Sequence, residues 1–293
     1  MNNTTEKLAF TFWDGPQLSL LNILSLLSFA RLNPDTVLTI YTLGGGLDIN
    51  AGWKTGEHAL AVDQFYALED LACEPNIRIQ KVDSVGLEKI NSVVQVADYI
   101  RIKMLFEHGG IWIDTDVLFF KKLPDYLWEI VATDGFVISY RNTITTGFMG
   151  FPKGSTIAHQ ALLKAQLKMN GNEFHKSYQA FGPELWEEIF LEYPQEVSQV
   201  QFLSDKLVYP ILWEKLDQFF FQQDDSIDFE ETIGVHWYGG SQYSRSFTNN
   251  NLAHALTKQV PLTNFQKVIH RLEEDVGLLK NLPSPISNAR SSS

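Results

Sequence analysis

The sequence predicts an α/β fold on a mostly parallel sheet, and three observations carry that expectation. Short apolar strands alternate with helical stretches through the first 120 residues, the rhythm of βαβ units. Chain breakers punctuate the alternation at Gly15-Pro16 and Asn33-Pro34-Asp35. The 293 residues, 44% of them hydrophobic, are enough for one large core, and no Pro/Gly linker or internal repeat divides them. The expectation is one domain over residues 1–282, with halves 1–120 and 121–282, and a Ser/Pro-rich disordered tail at 283–293.

Residues 8–13 read as the first strand, 14–16 as a turn, and 18–29 as a helix apolar enough to be buried. A second strand follows at 37–41, then an irregular glycine-rich stretch at 44–56, a helix at 59–71 and an alternating strand at 77–82. The next helix, 93–106, has Ser92 and Gln95 at capping-box spacing. Gly109-Gly110 stops it, and the apolar strand Ile111-Trp112-Ile113 leads into Asp114-Thr115-Asp116. Parallel sheets place ligands beyond the carboxyl ends of their strands, where Trp13 and the two aspartates fall. The second half is less regular. It offers a strand at 136–140, helices at 156–169 and 183–191, and a short strand at 235–238 entering Gly239-Gly240-Ser241. An amphipathic helix within 262–282 carries Phe265, Val268, Ile269, Leu272 and Val276 on one face.

Composition excludes several function classes. A formal charge of -12 argues against a nucleic-acid partner and against simple attraction to anionic lipid. An acidic protein can still bind an anionic nucleotide if a metal ion supplies local positive charge. The single cysteine, Cys73, leaves no intrachain disulfide and no Cys-rich zinc site. The first seven residues are polar, and no run approaches the roughly 18 apolar residues of a membrane span. The expected location is the cytoplasm, peripheral to a membrane at most.

Two pairs of residues point to chemistry. Asp98 and Arg101 lie three apart, so they share a helix face. They read either as a solvated ion pair or as a site, with Arg101 for a diphosphate and Asp98 for a sugar hydroxyl. The apolar character of the surrounding helix favours the site. Asp114 and Asp116, at i and i+2 of an extended chain, point to the same side. Buried carboxylates are costly unless compensated, and a hard divalent cation would compensate them.

Together the pattern Ala97-Asp98-x2-Arg101-x3-Leu105-x3-Gly109-Gly110-x-Trp112-x-Asp114-x-Asp116 resembles the sugar-nucleotide-binding region of GT-A glycosyltransferases. It is most similar to family 32 with its DXD motif, and to the related catalytic domains of the clostridial glucosylating toxins. Phe12-Trp13-Asp14-Gly15 resembles the family's first-strand segment, where an aromatic stacks on the nucleotide base. Either Phe12 or Trp13 fills that role, and either is equally a core residue. Residues 235–241 resemble the C-terminal segment that closes over metal and diphosphate, with His236 and Ser241 as the contacts. The tryptophan usual after that serine is replaced here by Gln242 and Tyr243.

The resemblance implies a Rossmann-like mixed sheet flanked by helices, a Mn²⁺ or Mg²⁺ ion, and a nucleotide-sugar donor, UDP-linked. It implies transfer to a saccharide, lipid-linked or protein acceptor with retention of configuration. Asp114, Asp116 and His236 would serve the metal. Phe12, Trp13, Asp98, Arg101, Asp114 and Ser241 would serve the substrate, and Arg101 and Asp98 the catalysis. Acceptor recognition would fall to residues 140–148 and 170–178. Glu184 reads as an acceptor-side acid or as a first-turn acid favoured by the helix dipole. The alternatives are a haloacid-dehalogenase-like phosphatase using Asp114 and Asp116, with Asp224-Asp225 as its late acidic pair, or a catalytically silent sugar-binding module. The C-terminal helix is a candidate homo-oligomer contact.

Overall fold

A computed structural model describes residues 6–14, 17–43, 64–83, 87, 89–90, 92–141, 143–171, 177–223, 229–250, 252, 256 and 262–287. Strand β1 (Lys7–Phe12) is followed by the short β2 (Gln17–Leu18), helix α1 (Leu20–Leu32) and β3 (Thr36–Thr42). Then come β4 (Gln64–Ala67), a 3₁₀ turn (Leu68–Cys73) and β5 (Ile77–Lys81). Helix α2 (Val93–His108), β6 (Gly110–Ile113), β7 (Val117–Phe119) and α3 (Asp125–Thr133) form the centre of the chain. The second half supplies β8 (Phe136–Tyr140), β9 (Thr143–Phe151), α4 (Thr156–Asn170), α5 (Pro183–Glu192), α6 (Pro194–Val197) and β10 (Gln201–Ser204). It ends with α7 (Asp217–Phe220), β11 (Gly234–His236), α8 (Gln242–Asn250), α9 (Asn264–Val276) and β12 (Ile286–Ser287).

Seven strands form the main sheet in the order β10-β8-β9-β6-β1-β3-β5. The α/β class is as expected, but the sheet is mixed: β9 runs antiparallel to both β6 and β8, while the other neighbours are parallel. Alternation along each strand serves two cores. Ile111, Ile113, Phe136, Ile138 and Phe148 face α1, α3 and α9. Phe10, Trp112, Val137, Met149 and Phe151 face α2, α4 and α5. Helix α1 is buried along nearly its whole length, as its apolar density predicts, with Ser19 accepting from the Asn22 N–H at its start.

Several local expectations change. Of the expected helix at 59–71, the described part is β4 and the 3₁₀ turn; residues 59–63 and the glycine-rich 44–56 lie outside the described residues. Ser92 makes no side-chain capping bond, and Gln95 donates instead to the Ser177 carbonyl. A reciprocal capping box forms at α9, between Thr263 and Gln266. That helix stops at Gly277, well short of residue 282, because Gly277 takes the left-handed conformation that ends it. Its Phe265, Val268, Ile269 and Leu272 are buried against the α1 and α7 side of the core, so this apolar face is not a free oligomer surface. Ile286 and Ser287, within the expected tail, pair with Phe65 and Gln64, and 288–293 lie outside the described residues. No described helix is long and apolar enough to cross a membrane.

The Gly109-Gly110 stop is forced by packing. Gly109 has φ +68, and its N–H caps α2 by donating to the Leu105 carbonyl at 3.0 Å. A Cβ there would lie 2.3 Å from the Lys153 backbone nitrogen. The tight fit locks the end of α2 against the 152–154 turn, which fixes where β6 begins. Replacing Gly109 with alanine combines backbone strain with an overlap that only main-chain movement relieves. Gly109→Ala is expected to destabilise the fold by about 3 kcal/mol in urea denaturation, whereas a loss below about 1 kcal/mol would mean the turn yields freely.

Candidate active site

Residues of α2 and of the β6–β7 turn meet at the carboxyl end of the sheet. Trp112 points to the α2 side of β6, and Asp114 follows two residues later. The chain then turns: the Val117 N–H donates to the Asp114 carbonyl at 3.3 Å, and Thr115 and Asp116 lie in the turn. The two aspartates therefore sit on a turn between strands, not within a strand as expected. A turn brings both carboxylates to one point while letting β7 leave the main sheet and pair with β11.

Arg101 ties the helix to that turn. Its guanidinium binds Asp98 through Nη1 and Asp114 Oδ1 through Nη2, the latter at 2.8 Å. Its Cζ stands 5.0 Å from the centre of the Trp112 ring, a cation–π arrangement. The Trp112 indole also donates to Asp114 Oδ1, at 2.7 Å. Asp98 is packed against Gly182, where a Cβ would approach its Oδ2 to 3.0 Å.

His236 arrives from β11, where it pairs in register with Val117. Its Nε2 lies 3.3 Å from Asp116 Oδ1 and 3.7 Å from Asp114 Oδ2. The Gly239 N–H donates to Asp116 Oδ2 at 2.8 Å and the Trp237 N–H to the Asp116 carbonyl at 2.9 Å, so the 236–239 segment clasps the turn. One ligand atom from each of Asp114, Asp116 and His236 falls within 4.8 Å of the others. Gly147, on β9, closes the floor. A Cβ there would lie 2.6 Å from Asp114 Oδ2 and 3.0 Å from His236 Nε2. The close approach here is to protein groups.

The electrostatics of this cluster are unbalanced. Burial, reinforced by the Asp114 charge and only partly offset by Arg101, lifts the Asp98 carboxyl to about 6. Burial alone would raise Asp114 too, but the Arg101 guanidinium, His236 and the Trp112 indole together outweigh it and hold that carboxyl well below the usual range. Asp116 is raised by burial and by Asp114, against the pull of His236. Burial would lower His236, yet the Asp116 and Asp114 carboxylates win and raise it. Three carboxylates thus face one guanidinium, and the cluster binds protons tightly because it is short of positive charge. A divalent cation would supply the missing charge at a two-oxygen, one-nitrogen donor set.

The cluster opens into a cleft of about 420 Å³, which Asp98, Arg101, Asp114 and His236 line from the sheet side. Glu184 and Glu187, at the start of α5, also line it, and Ser177 donates to Glu184 at 2.5 Å. The 140–148 segment expected to be an acceptor loop is mostly β8 and β9, yet Tyr140 and Thr143 to Gly147 do line the cleft. In the 170–178 segment, residues 172–176 lie outside the described residues and Tyr178 lines the cleft.

Other expectations fare differently. Phe12 is buried in the α2-side core, whereas Trp13 is half-buried at the end of β1 and packs on the other face. Neither reaches the described cleft. The Ser241 hydroxyl accepts from the Tyr243 N–H at 3.2 Å, so it serves the start of α8 rather than the cleft. Asp224 and Asp225 lie outside the described residues. Tyr238 lines the site from the 235–241 segment that the sequence singles out, whereas Tyr209 lines it without any sequence signal, because it arrives from a segment about 100 residues away in the chain.

The lifted Asp98 carboxyl gives a pH signature. A carboxyl whose pKa is raised by folding stabilises fully below its unfolded value, and the contribution is lost as pH rises through the folded value. The metal-free protein should lose stability relative to Asp98→Asn, by on the order of 2 to 3 kcal/mol, as pH rises from about 4 to about 7. Urea denaturation across that range reads it, and a constant difference between the two proteins would contradict the assignment.

Comparison with known proteins agrees with this architecture. Residues 30–134 match the family model described as "Glycosyltransferase sugar-binding region containing DXD motif". No curated protein sequence matches significantly. Among solved structures, the glycosyltransferase GlyE of Streptococcus pneumoniae TIGR4 is 11% identical, with a TM-score of 0.52 over 92% of this chain and 63% of that one. The chain thus spans less than two thirds of that structure's length. The PaToxG glycosyltransferase is 20% identical, with a TM-score of 0.46 over 64% and 70% of the two chains. The galactosyltransferase LgtC, solved with donor and acceptor sugar analogues, is 12% identical, with a TM-score of 0.45 over 95% and 98%. Residues 30–134 thus resemble a glycosyltransferase sugar-binding region, Asp114-Thr115-Asp116 is an Asp-x-Asp triplet within them, and the sheet that carries it matches the GT-A glycosyltransferase fold.

Proposed function

We propose that the protein is a metal-dependent, retaining glycosyltransferase that takes its sugar from a UDP-linked donor. The observation that carries this reading is the convergence of Asp114, Asp116 and His236 on one point, beside a buried Arg101 and at the floor of an open cleft. The family match over residues 30–134 supports the same chemistry. The imidazole in the donor set favours Mn²⁺ over Mg²⁺, which prefers oxygen ligands alone.

When bound, the cation would neutralise charge that grows on the departing diphosphate, stabilising the transition state more than the ground state. The chain's own residues do the remaining work. Arg101 adds positive charge to the same wall, but its two Nη groups are committed to Asp98 and Asp114. Its main role is therefore to hold those carboxylates in place, with less direct contact to diphosphate than its position in the motif implies. Asp98 keeps Oδ2 free of Arg101 and lines the cleft, where it would accept from a hydroxyl of the donor sugar. Trp13 is the better placed of the two first-strand aromatics to meet the base, since Phe12 is buried in the core.

The far wall belongs to the acceptor, a saccharide, lipid-linked or protein hydroxyl. In a retaining front-face displacement the departing diphosphate oxygen takes the acceptor proton, so neither Glu184 nor Glu187 need act as base. The phosphatase alternative requires Asp114 to attack, yet its Oδ1 already accepts from Arg101 and Trp112. We expect nucleotide release from one member of a panel of UDP- and GDP-sugars only with Mn²⁺ or Mg²⁺. Asp116→Ala should cut that rate at least 100-fold with little change in thermal stability. Phosphatase activity without donor turnover would favour the rival, and undiminished turnover in Asp116→Ala would remove the metal assignment.

A further inference from the structure

We propose that Tyr209 contacts the donor, its phenolic O–H donating a hydrogen bond to an oxygen of the bound nucleotide diphosphate beside Asp114 and His236. The inference rests on the nucleotide-sugar reading above. Tyr209 follows the 3₁₀ turn Asp205–Leu207 and is fixed by main-chain bonds to its neighbours. Its own N–H donates to the Asp205 carbonyl, and the His236 N–H donates to the Val208 carbonyl at 2.8 Å. That second bond couples its position to the metal-site histidine. The Tyr209 ring stacks on the His236 ring, with centroids 5.0 Å apart and planes at 25°. A flanking Tyr140 ring stands 5.8 Å away.

The hydroxyl is placed for a ligand. It lies 2.7 Å from the point where a Gly147 Cβ would stand, the same point that Asp114 Oδ2 and His236 Nε2 approach. Tyr209 is only 4% exposed, and its hydroxyl has no hydrogen-bond partner among the described residues. The Thr145 hydroxyl is near enough to interact with it, yet neither hydroxyl makes a hydrogen bond of ordinary distance and angle among the described residues. Tyr140 OH and Arg101 Nε share this condition in the same cleft. Buried polar groups are rarely left unpaired, and a cluster of them lining one cleft indicates groups completed by a ligand. Of these, the Tyr209 O–H is the one that meets Asp114 Oδ2 and His236 Nε2 around the Gly147 Cβ point, where a metal-bound diphosphate would present acceptor oxygens.

Tyr209→Phe isolates the hydroxyl, since the ring, its stack on His236 and the packing remain. Thermal melting of the ligand-free variant should match or exceed that of the wild type, because no protein partner is lost. Calorimetric titration should give unchanged affinity for Mn²⁺ alone and about tenfold weaker affinity for UDP in the presence of Mn²⁺. A melting temperature lowered by several degrees would make the hydroxyl a structural group and overturn the proposal. Unchanged UDP affinity in the variant would overturn it equally. Failure of the wild type itself to bind UDP with Mn²⁺ would overturn the nucleotide-sugar reading, and this inference with it.

Discussion

The buried Arg101 guanidinium is the contact on which the rest of the site depends. It joins α2 to the β6–β7 turn through Asp98 and Asp114, with the Trp112 ring beneath it. In such a location neither the helix nor the turn can shift without leaving a charge unpaired, and breaking a buried pair of this kind typically costs about 3 to 5 kcal/mol. The arrangement also leaves the cluster one step short of neutrality. Of the two turn aspartates, Asp116, not bound by Arg101, is the one that His236 approaches more closely. The same network that fixes the turn therefore creates the demand for a cation.

That coupling explains why the site is so tightly built on its sheet side and open on the other. Gly109 and Gly147 are both positions where a methyl group would strike protein atoms, one against the 152–154 turn and one against the metal-site side chains. The clasp of Gly239 and Trp237 on Asp116 ties the C-terminal third of the chain to the β6–β7 turn. The acidic residues at the start of α5 line the same cleft and do not share in the Arg101 network. The unpartnered hydroxyls of the cleft fit a site that gives up some stability so that a ligand can complete it.

The parts of this site that were legible in the sequence are those encoded locally. Asp98 and Arg101 share a helix face because of helical periodicity, and two glycines between a helix and an apolar strand mark where Asp114 and Asp116 emerge. His236 was legible only through resemblance, since nothing in its own neighbourhood requires a metal. Contacts made by long-range pairing were not visible. The antiparallel insertion of β9 places Gly147 beneath the aspartates, and only the β11–β7 register brings His236 to them. Tyr209 has no local signature at all: its significance comes from a backbone bond between Val208 and His236. The Ser241 bond at the start of α8 was not visible either, because a hydroxyl before a helix is as readily a cap as a ligand contact.

The central claim is that Asp114, Asp116 and His236 form one cation site that a nucleotide diphosphate completes. Electron paramagnetic resonance titration of the protein with Mn²⁺, with and without UDP, tests it most directly. The account predicts a single Mn²⁺ per chain whose affinity rises when UDP is added, because protein and diphosphate share its ligand shell. Absence of bound Mn²⁺, or an affinity indifferent to UDP, would contradict it.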